Sequence, residues 1–388
     1  MSSNHYPSSI LKALAEQQHK GVYKNLKNSC EGIDFYSNDY LGFSKEGLLK
    51  AKLNDSYKER ATIFGSTGSR LVSGNSTFVN ETEKQIALFH HSQSALLFNS
   101  GYTANLGLLS CVPQKTDLVL FDESAHASIY DGIRLGQATH YRFKHNDTDS
   151  LEELIQRHKK NYDNIYIVVE SVYAIDGETA PLLEIVELCK EHKNIFLIVD
   201  EAHSLGVFGN QGRGLCNALA IEHYCFARIY AYGKAMGCFG AAVACGETLR
   251  SYLINFSRSF IYTTALPQIN VEAILYAYRL LLETNQKERL QSNIAYFYSK
   301  TSKIQNLVRS QSAIHCLVVG NNEQVDMLEK EFTQRNIYVR AIKSPQIKAG
   351  EERIRISIHS FNTREQIDLL IEVLSSYKRL DYTRTIYY

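Results

Sequence analysis

Lys234 sits among small residues in Tyr232-Gly233-Lys234-Ala235-Met236-Gly237. Upstream, the apolar run Ile195-Phe196-Leu197-Ile198-Val199 closes on Asp200-Glu201-Ala202-His203. An amine so placed can form an imine with an aldehyde cofactor, and a carboxylate at a strand's carboxyl end can keep a pyridine nitrogen protonated. The pair describes a pyridoxal phosphate (PLP) site, in which the ring becomes an electron sink. Taken alone, each residue reads better as a surface lysine or a helix-capping aspartate, so the rest of the chain must decide. Asn99-Ser100-Gly101-Tyr102-Thr103-Ala104-Asn105 follows the apolar run Ala95 to Phe98 and opens a helix. The backbone N–H groups of Gly101 and Tyr102 could there bind a phosphate at the positive end of the helix dipole. Asp122-Glu123-Ser124-Ala125-His126-Ala127-Ser128 follows the next apolar run and brings the His126 imidazole to the same edge. A flat ring at that place can stack on a pyridine; alone, it also reads as a polar helix-start residue.

The elements that must position these groups alternate. Apolar strands are expected at Ala95 to Phe98, Asp117 to Phe121, His140 to Phe143, Ile165 to Val169, Ile195 to Val199 and Ile229 to Tyr232, several of them separated by helical stretches such as Leu151 to His158 and Leu182 to Glu191. Strands buried on both faces with helical crossovers imply a mostly parallel sheet, with active residues at the strands' carboxyl ends. An N-terminal helix is expected over Ser8 to Leu26, followed by the extended arm Phe35 to Gly42. After about Pro267 come a long helical stretch, strands at Ile314 to Val319, Ile337 to Ile342 and Arg353 to Ile358, and a last helix. That helix begins in a capping box, Thr363 with Gln366, and carries the stripe Ile367, Leu370, Ile371 and Leu374. The division expected is residues 1–42 as helix and arm, 43–278 as a large PLP-binding α/β domain, and 279–388 as a small α+β domain.

The 388 residues carry 42 Lys and Arg against 41 Asp and Glu, a net charge of +1, so no global field draws the chain to nucleic acid or anionic lipid, and its ligands should be small molecules. The eight cysteines show no metal-ligand spacing and read as reduced thiols; no metal is expected. With no signal-peptide pattern and no membrane-length apolar run, the expectation is a cytoplasmic protein.

The segments above, together with Gly65-Ser66-Thr67-Gly68-Ser69-Arg70-Leu71-Val72-Ser73-Gly74, Asp176 to Leu182, Gly233 to Gly240, Tyr262-Thr263-Thr264-Ala265-Leu266-Pro267 and Arg353-Ile354-Arg355-Ile356, resemble the α-oxoamine synthases in order over nearly the whole chain. The resemblance implies fold type I of the PLP-dependent transferases, the aspartate-aminotransferase-like fold. It implies that Lys234 holds the cofactor covalently and then acts as acid and base at Cα, that Asp200 pairs with the ring nitrogen, and that His126 stacks on the ring. His203 would bond the ring's phenolic oxygen, and Gly101 and Tyr102 would hold the phosphate. Thr263 and Thr264 would reach the phosphate of a partner subunit, which implies a homodimer. Arg355, with Asn38 nearby, would grip the amino-acid carboxylate. The implied activity is acyl transfer with decarboxylation between an amino acid and an acyl thioester of coenzyme A or a carrier protein. The chain length and the run Arg258 to Pro267 favour L-alanine and a pimeloyl thioester within the family.

Some positions depart from the family pattern. Ala231 and Ala174 stand where hydroxyls are usual near the cofactor, Gln346 replaces a common threonine, Val79 an expected histidine, and the first arginine is Arg60. These changes bear on the acyl donor more than on the cofactor. A relative using another acyl chain or amino acid fits them, and a non-catalytic relative is the third reading.

Overall fold

The computed structural model describes residues 6–26, 31–57 and 65–377. Cys30, Arg60 and the tail after Tyr377 lie outside them. Seven strands form the main sheet: β1 (Ser94–Phe98), β2 (Leu118–Asp122), β3 (Thr139–Phe143), β4 (Ile165–Glu170), β5 (Ile195–Asp200), β6 (Cys225–Ala231) and β7 (Ala241–Cys245). Their spatial order is β1-β7-β6-β5-β4-β2-β3. Every pairing is parallel except the two made by β7, which runs antiparallel to β1 and β6. Six strands therefore end at one edge of the sheet. β1, β2, β4 and β7 are buried along their whole length, whereas β3 is an edge strand with three exposed residues.

β7 was not anticipated from the sequence. Its residues, Ala-Ala-Val-Ala-Cys, have little intrinsic strand preference, and they form a strand because they are enclosed between β1 and β6. The expected strand Ile337 to Ile342 is two. Ile337–Tyr338 pairs in parallel with Ile33–Asp34 of the arm, and Arg340–Ile342 joins a different sheet. That second sheet is antiparallel and contains β8 (Leu307–Val308), β9 (Ile314–Val318), β10 (Arg340–Ile342) and β11 (Arg353–Ser357) in the order β10-β11-β9-β8. The N-terminal helix spans Ser8–His19 and stops earlier than expected, because Gly21 turns left-handed (φ 64°) and its N–H caps Gln18. The capping box at Thr363 forms as read.

Helix Gln268–Glu283 runs through position 278, where the sequence reading divides the two larger units. One continuous core joins them: Leu97 and Ala242 of the main sheet, Val271 and Ile274 of that helix, and Ile314, Ile354 and Ile367 of the C-terminal part belong to the same buried cluster, together with Phe35, Tyr40 and Leu41 of the arm. The arm is thus packed between the two sheets, and this brings its polar residues to the end of the main sheet.

Candidate active site

Three neighbouring strands end in buried acids: Asp122 on β2, Glu170 on β4 and Asp200 on β5. The Asp200 carboxylate is held by neutral donors. Asn105 Nδ2 donates to its Oδ2 at 2.7 Å and the Ala202 N–H to its Oδ1 at 2.9 Å. Asn105 Nδ2 also reaches Ser128 Oγ at 3.0 Å, so the helices Gly101–Cys111 and Ala127–Leu135 both brace the acid. Among the described residues Asp200 has no ion-pair partner.

His126 caps helix Ala127–Leu135. Its ring Nδ1 accepts the Ser128 N–H at 3.2 Å and lies 2.8 Å from Ser128 Oγ. A backbone N–H can only donate, so in the neutral ring the proton sits on Nε2. Its own N–H donates to Glu170 Oε1 at 2.6 Å. Partial burial holds the His126 pKa below its usual value against the field of Asp200, with Lys234 adding to the lowering. Burial, reinforced by Asp200, pushes the Glu170 carboxyl up to about 8 against the opposing charge of Lys234.

Lys234 lies on a turn after β6. Tyr232 N–H bonds Gly240 O at 3.0 Å, Cys238 N–H bonds Tyr232 O at 3.0 Å, and Gly237 N–H bonds Lys234 O at 2.9 Å. Gly237 has φ 61°, and a Cβ there would meet Ser44 N at 2.8 Å, so only glycine lets the turn close against the segment just beyond the arm. Burial lowers the Lys234 pKa, while the carboxylates of Asp200 and Glu170 oppose that shift and Arg355 reinforces it. A neutral amine is what imine chemistry requires.

The far side of the site is built from segments remote in sequence. Arg355, on β11, is 3 % exposed. Its Nε donates to Ala174 O at 2.7 Å, Nη1 to Ser357 Oγ at 3.0 Å, and Nη2 to Asn38 Oδ1 at 2.9 Å and Tyr40 Oη at 3.3 Å. All these partners are neutral, and among the described residues no carboxylate lies in ion-pair range. A buried guanidinium without a counter-ion is costly, and the arrangement calls for an anionic ligand that displaces part of this shell. Tyr40 Oη also lies 2.8 Å from His203 Nδ1, so one phenol links the arginine to the imidazole. Burial, with the charges of Lys234 and Arg355, drives the His203 pKa well below its usual value.

At the third corner Ser100 caps helix Gly101–Cys111 through a reciprocal capping box with Thr103. Among the described residues the N–H groups of Gly101 and Tyr102 have no hydrogen-bond partner. A Cβ on Gly101 would meet the Ala231 Cβ at 2.9 Å, so the end of β6 lies close beneath the helix start. Asn99 Nδ2 donates to Thr263 Oγ1 at 3.1 Å and Thr264 O at 2.9 Å, which brings that segment to the same corner of its own chain.

Sequence reasoning missed Glu170, Asn105 and Tyr40 as parts of the site. Glu170 had a signal, since Ile165 to Glu170 ends in an acid just as Ile195 to Asp200 does. Asn105 and Tyr40 had none beyond the motifs that contain them. Cluster geometry was likewise hidden: His145, Asp176 and Glu178 present ligand-type atoms within 4.8 Å of one another.

A fold with six strand ends at one edge, a lysine beyond one strand and an acid closing its neighbour defines a PLP-dependent transferase of fold type I. The chain belongs to the aminotransferase class I and II family, which matches residues 31–374. It is 37% identical to the 8-amino-7-oxononanoate synthase of Emericella nidulans, covering 89% of this chain and 89% of that one. Among solved structures it resembles the 8-amino-7-oxononanoate synthase of Francisella tularensis (TM-score 0.76, 32% identity, 89% of this chain and 97% of that chain). It also resembles a serine palmitoyltransferase from S. paucimobilis with bound PLP and myriocin (TM-score 0.85, 26% identity, 95% and 96%). These relatives are α-oxoamine synthases, as the motifs imply. The residues fit PLP: a buried acid without a cation, a lysine with a lowered pKa, and free N–H groups at a helix start are the complements of a pyridinium, an aldehyde and a phosphate.

Proposed function

We propose that this chain condenses L-alanine with a pimeloyl thioester, releasing 8-amino-7-oxononanoate, CO2 and free thiol. The observation that carries the reading is Arg355, a buried cation with only neutral partners, on the same site as Lys234 and Asp200. An α-amino acid matches it, with a carboxylate for the guanidinium and an amine for the cofactor. The 8-amino-7-oxononanoate synthases among the relatives support alanine and the pimeloyl chain.

When bound, PLP supplies an aldehyde for amines and a ring that accepts the electrons of a Cα bond. Lys234 would anchor it, and its Nζ would take the Cα proton and return it at the end. Asp200 would keep the ring nitrogen protonated. His126 would stack on the ring face, and His203, whose Nδ1 lies 2.8 Å from Tyr40 Oη, would meet the ring oxygen through Nε2. Gly101 and Tyr102 would hold the phosphate; Thr263 and Thr264, which Asn99 holds at the same corner of their own chain, would add to a second subunit's phosphate where two sites face each other across a dimer. Arg355 and Asn38 would hold the carboxylate and so fix which Cα bond breaks. Cα would bond to the acyl carbon as the C–S bond breaks and the thiolate leaves to take a proton from water; the carboxylate would then depart as CO2, and the electron pair left at Cα would take back the proton from Lys234.

A homodimer is supported by the exposed apolar side chains Tyr262, next to Thr263, and Leu71 and Val72, which follow Gly68, whose carbonyl accepts the Ala265 N–H. A reducing, cytoplasmic setting fits the free state of the seven cysteines among the described residues, and no helix among the described residues is long and apolar enough to cross a membrane.

The higher TM-score with the serine palmitoyltransferase favours a second reading, another acyl donor or amino acid. Thiol release from a panel of thioesters, with and without a terminal carboxylate, offered with alanine, serine and glycine, separates the two. Turnover confined to alanine with the pimeloyl thioester is the expected result. Turnover only with unsubstituted chains overturns the substrate, and no turnover with any pair overturns the acyl-transfer reading.

A further inference from the structure

His145, two residues beyond the edge strand β3, stands between two carboxylates. Its Nδ1 lies 2.8 Å from Asp122 Oδ1 and its Nε2 3.2 Å from Glu178 Oε2, while its ring meets Tyr173 edge-on at 4.4 Å. Carboxylates only accept, so the ring satisfies both contacts as a doubly protonated cation. The two acids belong to different parts of the site. Asp122, fully buried, also accepts the N–H groups of Ser124 at 2.7 Å and Asn146 at 2.9 Å, organising the segment that leads to His126. Glu178 belongs to the loop 171–180, which folds on itself through Tyr173 N–H to Glu178 O and a bridge between Val172 and Thr179. That loop supplies the Ala174 carbonyl bonded to Arg355 Nε, and its Asp176 lies 3.5 Å from Arg353 Nη1.

We infer that His145 is a positioning residue, a cationic strut that fastens the 171–180 loop to the end of β2 and so lets Ala174 O set the plane of the Arg355 guanidinium. The inference rests on the reading of Arg355 as the amino-acid carboxylate site. The charged groups around the ring are Asp122, Glu178 and Asp176, with Glu123, whose Oε1 accepts the His145 N–H at 3.2 Å, and Arg353 beyond. Burial opposes the charge, yet the hydrogen bonds to Asp122 and Glu178 and the field of the acids push the pKa up to about 10. The strut is therefore charged at neutral pH. A metal at His145, Asp176 and Glu178 is the weaker use of the same atoms, because both ring nitrogens already face carboxylates and Arg353 neutralises Asp176.

The test uses PLP-loaded H145Q, E178Q and the double variant. Glu178 is partly exposed, so E178Q keeps the test alive if H145Q folds poorly. Hydrogen–deuterium exchange in peptides covering 171–180 is expected to speed up about tenfold in each single variant, with no further gain in the double, as for two ends of one interaction. The KM for the amino acid should rise roughly five- to tenfold, while the thioester KM and kcat stay within about twofold, because only carboxylate binding is misaligned. H145K, which keeps a cation, should recover part of the loss. Unchanged exchange in H145Q removes the strut. Faster exchange with an unchanged amino-acid KM removes the link to Arg355, and a uniform fall in kcat with a lower melting temperature makes the role merely structural. If the wild type turns over no substrate pair, the proposed function fails, while the exchange measurement still decides the strut.

Discussion

The carboxyl edge of the main sheet and the β11 end of the smaller sheet hold their functional groups by opposite means. At the sheet edge, Asp200, Glu170 and Lys234 are ionisable groups packed together, each shifting another's charge, on strand ends and a helix start that local sequence dictates. Around Arg355 a single charge sits in a neutral shell drawn from residues 38, 40, 174 and 357. The first arrangement tunes protonation. The second leaves one charge without a counter-ion among the described residues. On the proposed function, chemistry and recognition are thus separated in space, and the arm residue Tyr40, touching both Arg355 and His203, joins them.

The largest expected effect is at the sheet edge. Lys234→Ala should abolish the visible absorbance of the PLP-loaded protein and lower turnover by about 10^3-fold or more, as loss of a covalent anchor and acid–base group implies. Retained absorbance at the wild-type wavelength would break the comparison outright. Arg355→Lys should act on the other end alone. The amino-acid KM should rise about 10- to 100-fold, the worth of charge-assisted hydrogen bonds lost, with kcat changed far less; a steady-state split of kcat and KM checks this. A pH series sharpens the contrast in protonation. Glu170 has a folded pKa of about 8 against 4.5 ordinarily, so its contribution to stability is present below pH 4.5 and lost as pH rises through 8. The melting temperature of the PLP-free wild type should therefore fall more steeply over that window than that of Glu170→Gln, and parallel profiles would refute the shift. The smallest effect concerns Ala231, which lies under Gly101 at the proposed phosphate corner. Ala231→Ser should tighten PLP up to about fivefold, near the ~1 kcal/mol of one added hydrogen bond, read by a PLP titration.

How much of this was readable in advance depended on range. The strand runs, the capping box at Thr363, and Asp200 closing its apolar run are local patterns, and they were legible. β7 was not, because its alanines become a strand only by enclosure. The segment Ile337 to Ile342 looked like one strand, since nothing local tells that its halves join different sheets. Glu170 could have been read by the rule that found Asp200. His145 could not, because its two partners lie 23 and 33 residues away.

By itself the chain's order of residues determined the alternating elements, the lysine and the acid that a PLP site needs, and the family to which they belong, because helix starts and strand ends are set by neighbours a few residues apart. Only the tertiary structure decided what faces Arg355, which carboxyl is raised, and how His145 is held. Those properties arise from burial and from charges brought together across long stretches of chain, and no local pattern encodes a dielectric or a distance.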